Sequence, residues 1–157
     1  MTEGFYSITD EPKGEVYKDL IKGSLKYCDR FQLVIRSTIN MEDTCRRALE
    51  RLQPFLTKKT QQSEWPGTQL LSGTADVYYF HLTPESAVIL TETAEGLYSW
   101  QQPELPEDLC LITPKGNPWL ITISHEKDGY LKLSEVDKKS LTTLVPGLTL
   151  VKDHSYQ

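Results

Sequence analysis

The stretch Leu109-Cys110-Leu111-Ile112-Thr113-Pro114-Lys115-Gly116-Asn117-Pro118-Trp119-Leu120-Ile121-Thr122-Ile123-Ser124 decides the fold class. Its two arms, residues 109–113 and 119–124, are short apolar runs rich in β-branched side chains, the composition of strands. Pro114 to Pro118 is turn sequence. A connection that short closes a hairpin, whereas a parallel crossover takes about a dozen residues or more. The two strands are therefore antiparallel. Asp128-Gly129 is a second turn signal, and residues 130–133 extend the same sheet.

Upstream, residues 31–37 (FQLVIRS) and 77–82 (VYYFHL) read as further strands. Val16, Leu20, Ile21, Leu25 and Cys28 recur at helical spacing over residues 16–28, with Lys18, Lys22 and Lys26 on the opposite side. Gly23 weakens that helix by ~1 kcal/mol relative to Ala. Asn40 as N-cap, with Asp43 three residues on, predicts a second helix with Cys45, Ala48, Leu49, Leu52 and Leu56 on its inner face. Pro54 stops it near its last turn.

Thr83-Pro84-Glu85 combines a capping hydroxyl, a proline at the first helical position and an early acid, and so starts a third helix. Its shared face is Ala87, Val88, Thr91, Ala94 and Leu97; a strand over residues 87–91 is the competing reading. Ser134 with Asp137 opens a fourth helix to about Thr143, which Pro146-Gly147 breaks before a last strand at 148–151. Residues 60–73, polar around Trp65-Pro66-Gly67, read as a loop. The two prolines of residues 101–108 predict an extended connection. The expectation is a single α+β domain spanning 1–157, with a mainly antiparallel sheet and about four helices.

Composition narrows the function. The chain has 157 residues and net charge −5, a size at which a single core forms without a metal or disulfide. No apolar run reaches the ~20 residues of a membrane span, and Met1 to Phe5 lack the features of a secretory signal. Three widely spaced cysteines, Cys28, Cys45 and Cys110, fit a reducing compartment, so the cytoplasm is the expected location. Residues 60–114 contain no Lys or Arg but carry Glu64, Asp76, Glu85, Glu92, Glu95, Glu104, Glu107 and Asp108. Phosphate binding needs clustered Lys and Arg, which argues against a nucleic-acid partner.

No phosphate-binding glycine pattern, zinc spacing or nucleophile elbow is present, so no cofactor and no metal are expected. Three constellations remain. Cys110 with His81 or His125 could act as a thiol nucleophile and base, since an imidazole that takes the thiol proton keeps the thiolate available. Against that, Cys110 lies in an apolar run, where Cys usually packs as a small hydrophobe. His125 in Ser124-His125-Glu126-Lys127-Asp128 suits a general base or simply a polar strand end. Glu92, Glu95, Tyr98, Trp100, Glu104, Glu107 and Asp108 combine aromatics with carboxylates, the makings of a surface for a basic protein partner. In the plainer reading Tyr98 and Trp100 are core and the acids solvate a loop. Tyr78, Tyr79 and Phe80 could line a ligand pocket, although strands favour aromatics regardless.

Trp100, then residues 103–109 (PELPEDL), then Pro118-Trp119-Leu120 and His125-Glu126, together resemble a W–PELPEDL–PWL–HE pattern of small bacterial domains of uncharacterised function. The similarity covers roughly residues 77–150. It implies a bacterial origin and a shared fold, and no catalytic residues. The favoured function is a non-enzymatic acidic binding domain, of the immunity or inhibitor type, for a basic protein. The alternatives are a small enzyme using Cys110, His81 and His125, or a small-ligand regulatory module.

Overall fold

The computed structural model describes residues 3–154. In chain order its elements are β1 (Glu3–Ile8), α1 (Glu15–Ser24), β2 (Arg30–Ile35), α2 (Asp43–Leu52), β3 (Leu56–Gln62), the short pair β4 (Glu64–Trp65) and β5 (Thr68–Gln69), and β6 (Ala75–His81). There follow α3 (Pro84–Thr93), β7 (Glu107–Ile112), β8 (Pro118–Ile123), β9 (Asp128–Ser134), α4 (Glu135–Leu144) and β10 (Leu150–Asp153). Eight strands form one sheet in the order β10-β1-β9-β8-β7-β2-β6-β3, with every neighbouring pair antiparallel. Among the described residues the fold is α+β, with four helices and an antiparallel sheet in which the expected hairpin forms β7 and β8.

Alternation along the strands sorts side chains to the two faces. Phe31, Leu33, Phe80, Leu109, Leu111, Leu120 and Leu131 meet Tyr17, Leu20 and Ile21 of α1, Ala48 and Leu52 of α2, Ala87 and Leu90 of α3, and Leu141 of α4 in one core. Phe31 and Phe80 stack with centroids 4.9 Å apart across β2 and β6. The opposite face is covered in part by the segment that carries β4 and β5. There Trp65 packs with Val34, Ala75 and Val77 in a second, smaller cluster. Gly67, at φ +90°, lies flat against Ile121 and Ile123: a Cβ at this position would sit 3.0 Å from each side chain. The arm thus reaches across the sheet as far as β8.

The helix starts show what local chemistry can and cannot fix. Thr83 accepts from Ser86 N–H, and the Ser86 hydroxyl accepts from Thr83 N–H, a reciprocal capping box. Helix therefore prevails over strand at residues 87–91. Ser134 accepts from Asp137 N–H as its cap. At α2 the expected cap Asn40 is displaced by Glu42, which makes no side-chain cap bond. Glu42 N–H instead donates to Pro103 O, and the Thr44 hydroxyl donates to Glu104 O. Contacts from the 102–105 segment set where this helix begins. Residues 60–73 are likewise not a plain loop. Residues 56–62 form the edge strand β3, paired with β6, and β4–β5 form the arm. An edge strand has one unpaired side and needs no apolar run to declare it.

Candidate functional site

Residues 101–108 connect the Leu97–Ser99 turn to β7, and their two sides do different things. On the inner side Gln102 is buried, and its side chain splints the loop after β2. Its Oε1 accepts from Arg36 N–H at 2.7 Å, and its Nε2 donates to the carbonyls of Arg36 and Ile39 at 3.2 and 3.0 Å. Gln102-Pro103 is a cis peptide. Glu107 and Asp108 also turn inward, only 3% and 1% exposed. Asp108 has φ 55°, a left-handed conformation that Asp tolerates better than most residues.

Asp108 is fully occupied. Its Oδ2 accepts from Trp65 Nε1 at 3.0 Å, and its Oδ1 accepts from Ser124 N–H at 3.0 Å. One carboxylate thereby ties the arm over the sheet to the end of β8. Arg36 answers the two acids from just past the end of β2: Nε lies 3.3 Å from Glu107 Oε2, Nη2 lies 4.0 Å from Asp108 Oδ2, and the guanidinium sits over the Trp65 ring. Both nitrogens are buried, and neither contact is aligned as a hydrogen bond. Burial, reinforced by the Asp108 charge, raises the Glu107 carboxyl above the usual range. Arg36, a backbone N–H donated by Gln102 and the nearby His125 offset this only in part.

On the outer side, Glu104 is exposed beside Glu95, which follows α3, and Glu42, which precedes α2. Together with Thr44, Thr93, Ala94, Tyr98, Ser99, Gln101 and Leu105 they line a depression of about 510 Å³. Three carboxylates from three parts of the chain converge there, and no lining side chain is basic.

The expected partner surface is therefore divided. Glu92, Glu95 and Glu104 are exposed, but Glu92 is engaged by Arg51 at 2.7 Å. Trp100 is wholly buried and donates from Nε1 to Tyr17 OH at 2.9 Å; Tyr98 is 7% exposed. Tyr98, Trp100, Glu107 and Asp108 belong to the interior rather than to an exposed surface, because the segment folds back onto Tyr17 and Arg36. Glu42 was absent from the expected set because it lies outside the stretch free of Lys and Arg.

Cys110, His81 and His125 are not brought together. Cys110 is 1% exposed, and burial together with Asp108 pushes its thiol well above the ordinary range. His81 pairs in register with Arg30, which is level with Ile112 at one end of β7. His125 follows β8 at the other end, where Ser124 meets Asp108, with its Nε2 3.8 Å from Glu126 Oε1. Asp108 and Ile112, which mark those two ends, are four residues apart on the strand, about 13 Å at ~3.3 Å per residue.

Among the described residues no group of three or more His, Cys, Asp or Glu side chains could hold a metal ion, and no helix is long and apolar enough to cross a membrane. Arg36, Gln102, Trp65 and Ser124 were not among the expected site residues. One signal was present: a cation closing an apolar strand (residues 31–36) calls for a buried acid somewhere else in the chain. No family model, curated protein or solved structure matches the chain, so the roles of these residues rest on their geometry.

Proposed function

We propose that the chain is a non-enzymatic binding domain that takes a basic protein partner on the depression rimmed by Glu42, Glu95 and Glu104, as an immunity or inhibitor protein sequesters a cationic toxin or enzyme. The observation that carries this reading is the convergence of those three carboxylates around a hollow with no basic lining residue. Exposed carboxylates add little affinity individually, but together they steer a cationic partner and raise its association rate.

The test is capture of partners from cells that express the protein, comparing the natural chain with an E42Q/E104Q variant. The expected result is one or a few basic proteins retained by the natural chain and lost by the variant, with an association rate that falls steeply as salt rises. Retention of the same proteins by both chains, or association insensitive to salt, would overturn the reading.

A further inference from the structure

We infer that the β4–β5 arm is a flap that swings off the sheet as a unit and so gates the apolar strip of Val34, Ala75 and Val77 beneath it. The arm is built to move without coming apart. Its backbone pairing is internal: Glu64 pairs with Gln69, Trp65 with Thr68, and Leu70 N–H donates to Ser63 O at 2.8 Å. Its two ends meet where β3 and β6 finish their ladder, at Gln62 opposite Ala75. Gly73, at φ 75° with open space where a Cβ would stand, turns the chain back into that stalk. A hairpin rooted at one point swings without breaking its own ladder.

Little holds the arm down. Among the described residues a single hydrogen bond, Trp65 Nε1 to Asp108 Oδ2 at 3.0 Å, joins it to the rest of the fold. The other contacts are the Arg36 guanidinium 5.4 Å from the Trp65 ring centroid, Gly67 against Ile121 and Ile123, and Trp65 on its small apolar cluster. The closed seam also leaves hydrogen bonds unmade. Arg36 Nε and Nη2 and Thr68 Oγ1 are buried without a hydrogen-bond partner, and so is Ser124 Oγ, whose own N–H shares the Asp108 carboxylate with Trp65. Such groups lose water on closure and gain no bond in exchange, so they oppose closure. A segment with few anchors and unmade bonds opens at a free energy well below that of global unfolding.

The edge of the arm is not sealed either. A cleft of about 470 Å³ runs between the arm and the end of β8, lined by Arg36, Thr68, Leu71, Ile123 and His125 among others. Leu71, at the tip, is fully exposed and gives the arm no anchorage. Beneath the arm Val34, Ala75 and Val77 are buried against Trp65. All four helices pack on the other face of the sheet. Lifting the arm therefore bares the strip and the neighbouring Arg36 while the main core stays intact. The acidic depression is lined by residues outside the arm, and the flap does not depend on that reading.

The experiment places a thiol under the flap, Val77→Cys in the full chain, and follows its labelling by N-ethylmaleimide, with the modified sites located by mass spectrometry. Ala75→Cys gives the same readout should V77C fail to fold. The native Cys28, Cys45 and Cys110 are buried and report global unfolding in the same sample. The introduced thiol should be labelled about tenfold faster or more than the native three. T68V removes a hydroxyl that closure strands, so it should slow that labelling roughly two- to fivefold without lowering Tm. W65F removes the arm's hydrogen bond and should speed it about fivefold or more. E104Q, in the acidic depression, should leave it unchanged. Labelling of introduced and native thiols at one common rate, or none of the introduced thiol, would overturn the inference, because the arm would then open only with the whole molecule. A T68V chain labelled as fast as its parent, or faster, would overturn it too, since the unpaired groups of the seam would not then oppose closure.

Discussion

Glu107 is almost fully buried beside Asp108, and Arg36 supplies one positive charge for the two carboxyls. Because the fold raises the Glu107 carboxyl above its unfolded value of 4.5, the native state holds this proton more tightly than the unfolded chain. Its contribution to stability is complete below that value and declines as pH rises through the folded one. E107Q is therefore expected to match the natural chain in Tm near pH 4 and to exceed it at pH 8; a lower Tm at pH 8 would contradict this account. Arg36→Met should cost roughly 3–5 kcal/mol in chemical denaturation, since it strands two buried carboxyls. The three cysteines are buried, and burial raises the Cys45 thiol to about 11. No thiol of the native protein should react with Ellman's reagent at pH 8, and all three should react in guanidinium.

At the scale of elements, the β4–β5 arm is held at few points: Trp65 on Asp108, Trp65 beneath Arg36, and Gly67 on Ile121 and Ile123. Trp65→Phe keeps the apolar packing and removes the indole donor from a buried carboxylate, a loss of about 1–3 kcal/mol. Gly67→Ala adds a Cβ at a positive φ and 3.0 Å from two side chains, so it should loosen the arm itself. Amide exchange measured by mass spectrometry should speed up over residues 63–74 in both variants, with α1 and α3 unaffected. Exchange that rises uniformly through the molecule would show that the arm is not a separate unit. The helix caps belong to this scale too: Thr83 and Ser134 act within three residues of themselves and were readable, whereas the cap of α2 answers to Pro103 and Glu104.

The whole molecule depends on pairings distant in sequence. β1 lies between β9 and β10, with Phe5 opposite both Lys132 and Asp153, and it puts Tyr6 and Ile8 into the core. Deleting residues 3–8 removes an inner strand, so the truncated chain should lose its cooperative thermal transition in circular dichroism. Sheets joined by such distant contacts also fold on the millisecond-to-second scale rather than in microseconds. Charge is likewise distributed by folding: Glu42, Glu95 and Glu104, distant in sequence, gather in one depression.

Periodicity, turn residues and local caps determined by themselves the antiparallel hairpin at residues 109–124, four helices and the α+β class. Each of those depends on neighbours a few positions apart, and that information is written in the chain. Tertiary structure alone decided that residues 56–62 pair as an edge strand, that β1 enters the sheet, and that residues 101–108 carry acids to both the interior and the surface. A carboxylate looks the same in sequence whether it faces water or Arg36. Only the return of β2 alongside β7, with Val34 level with Glu107, brings a cation where two buried acids need one.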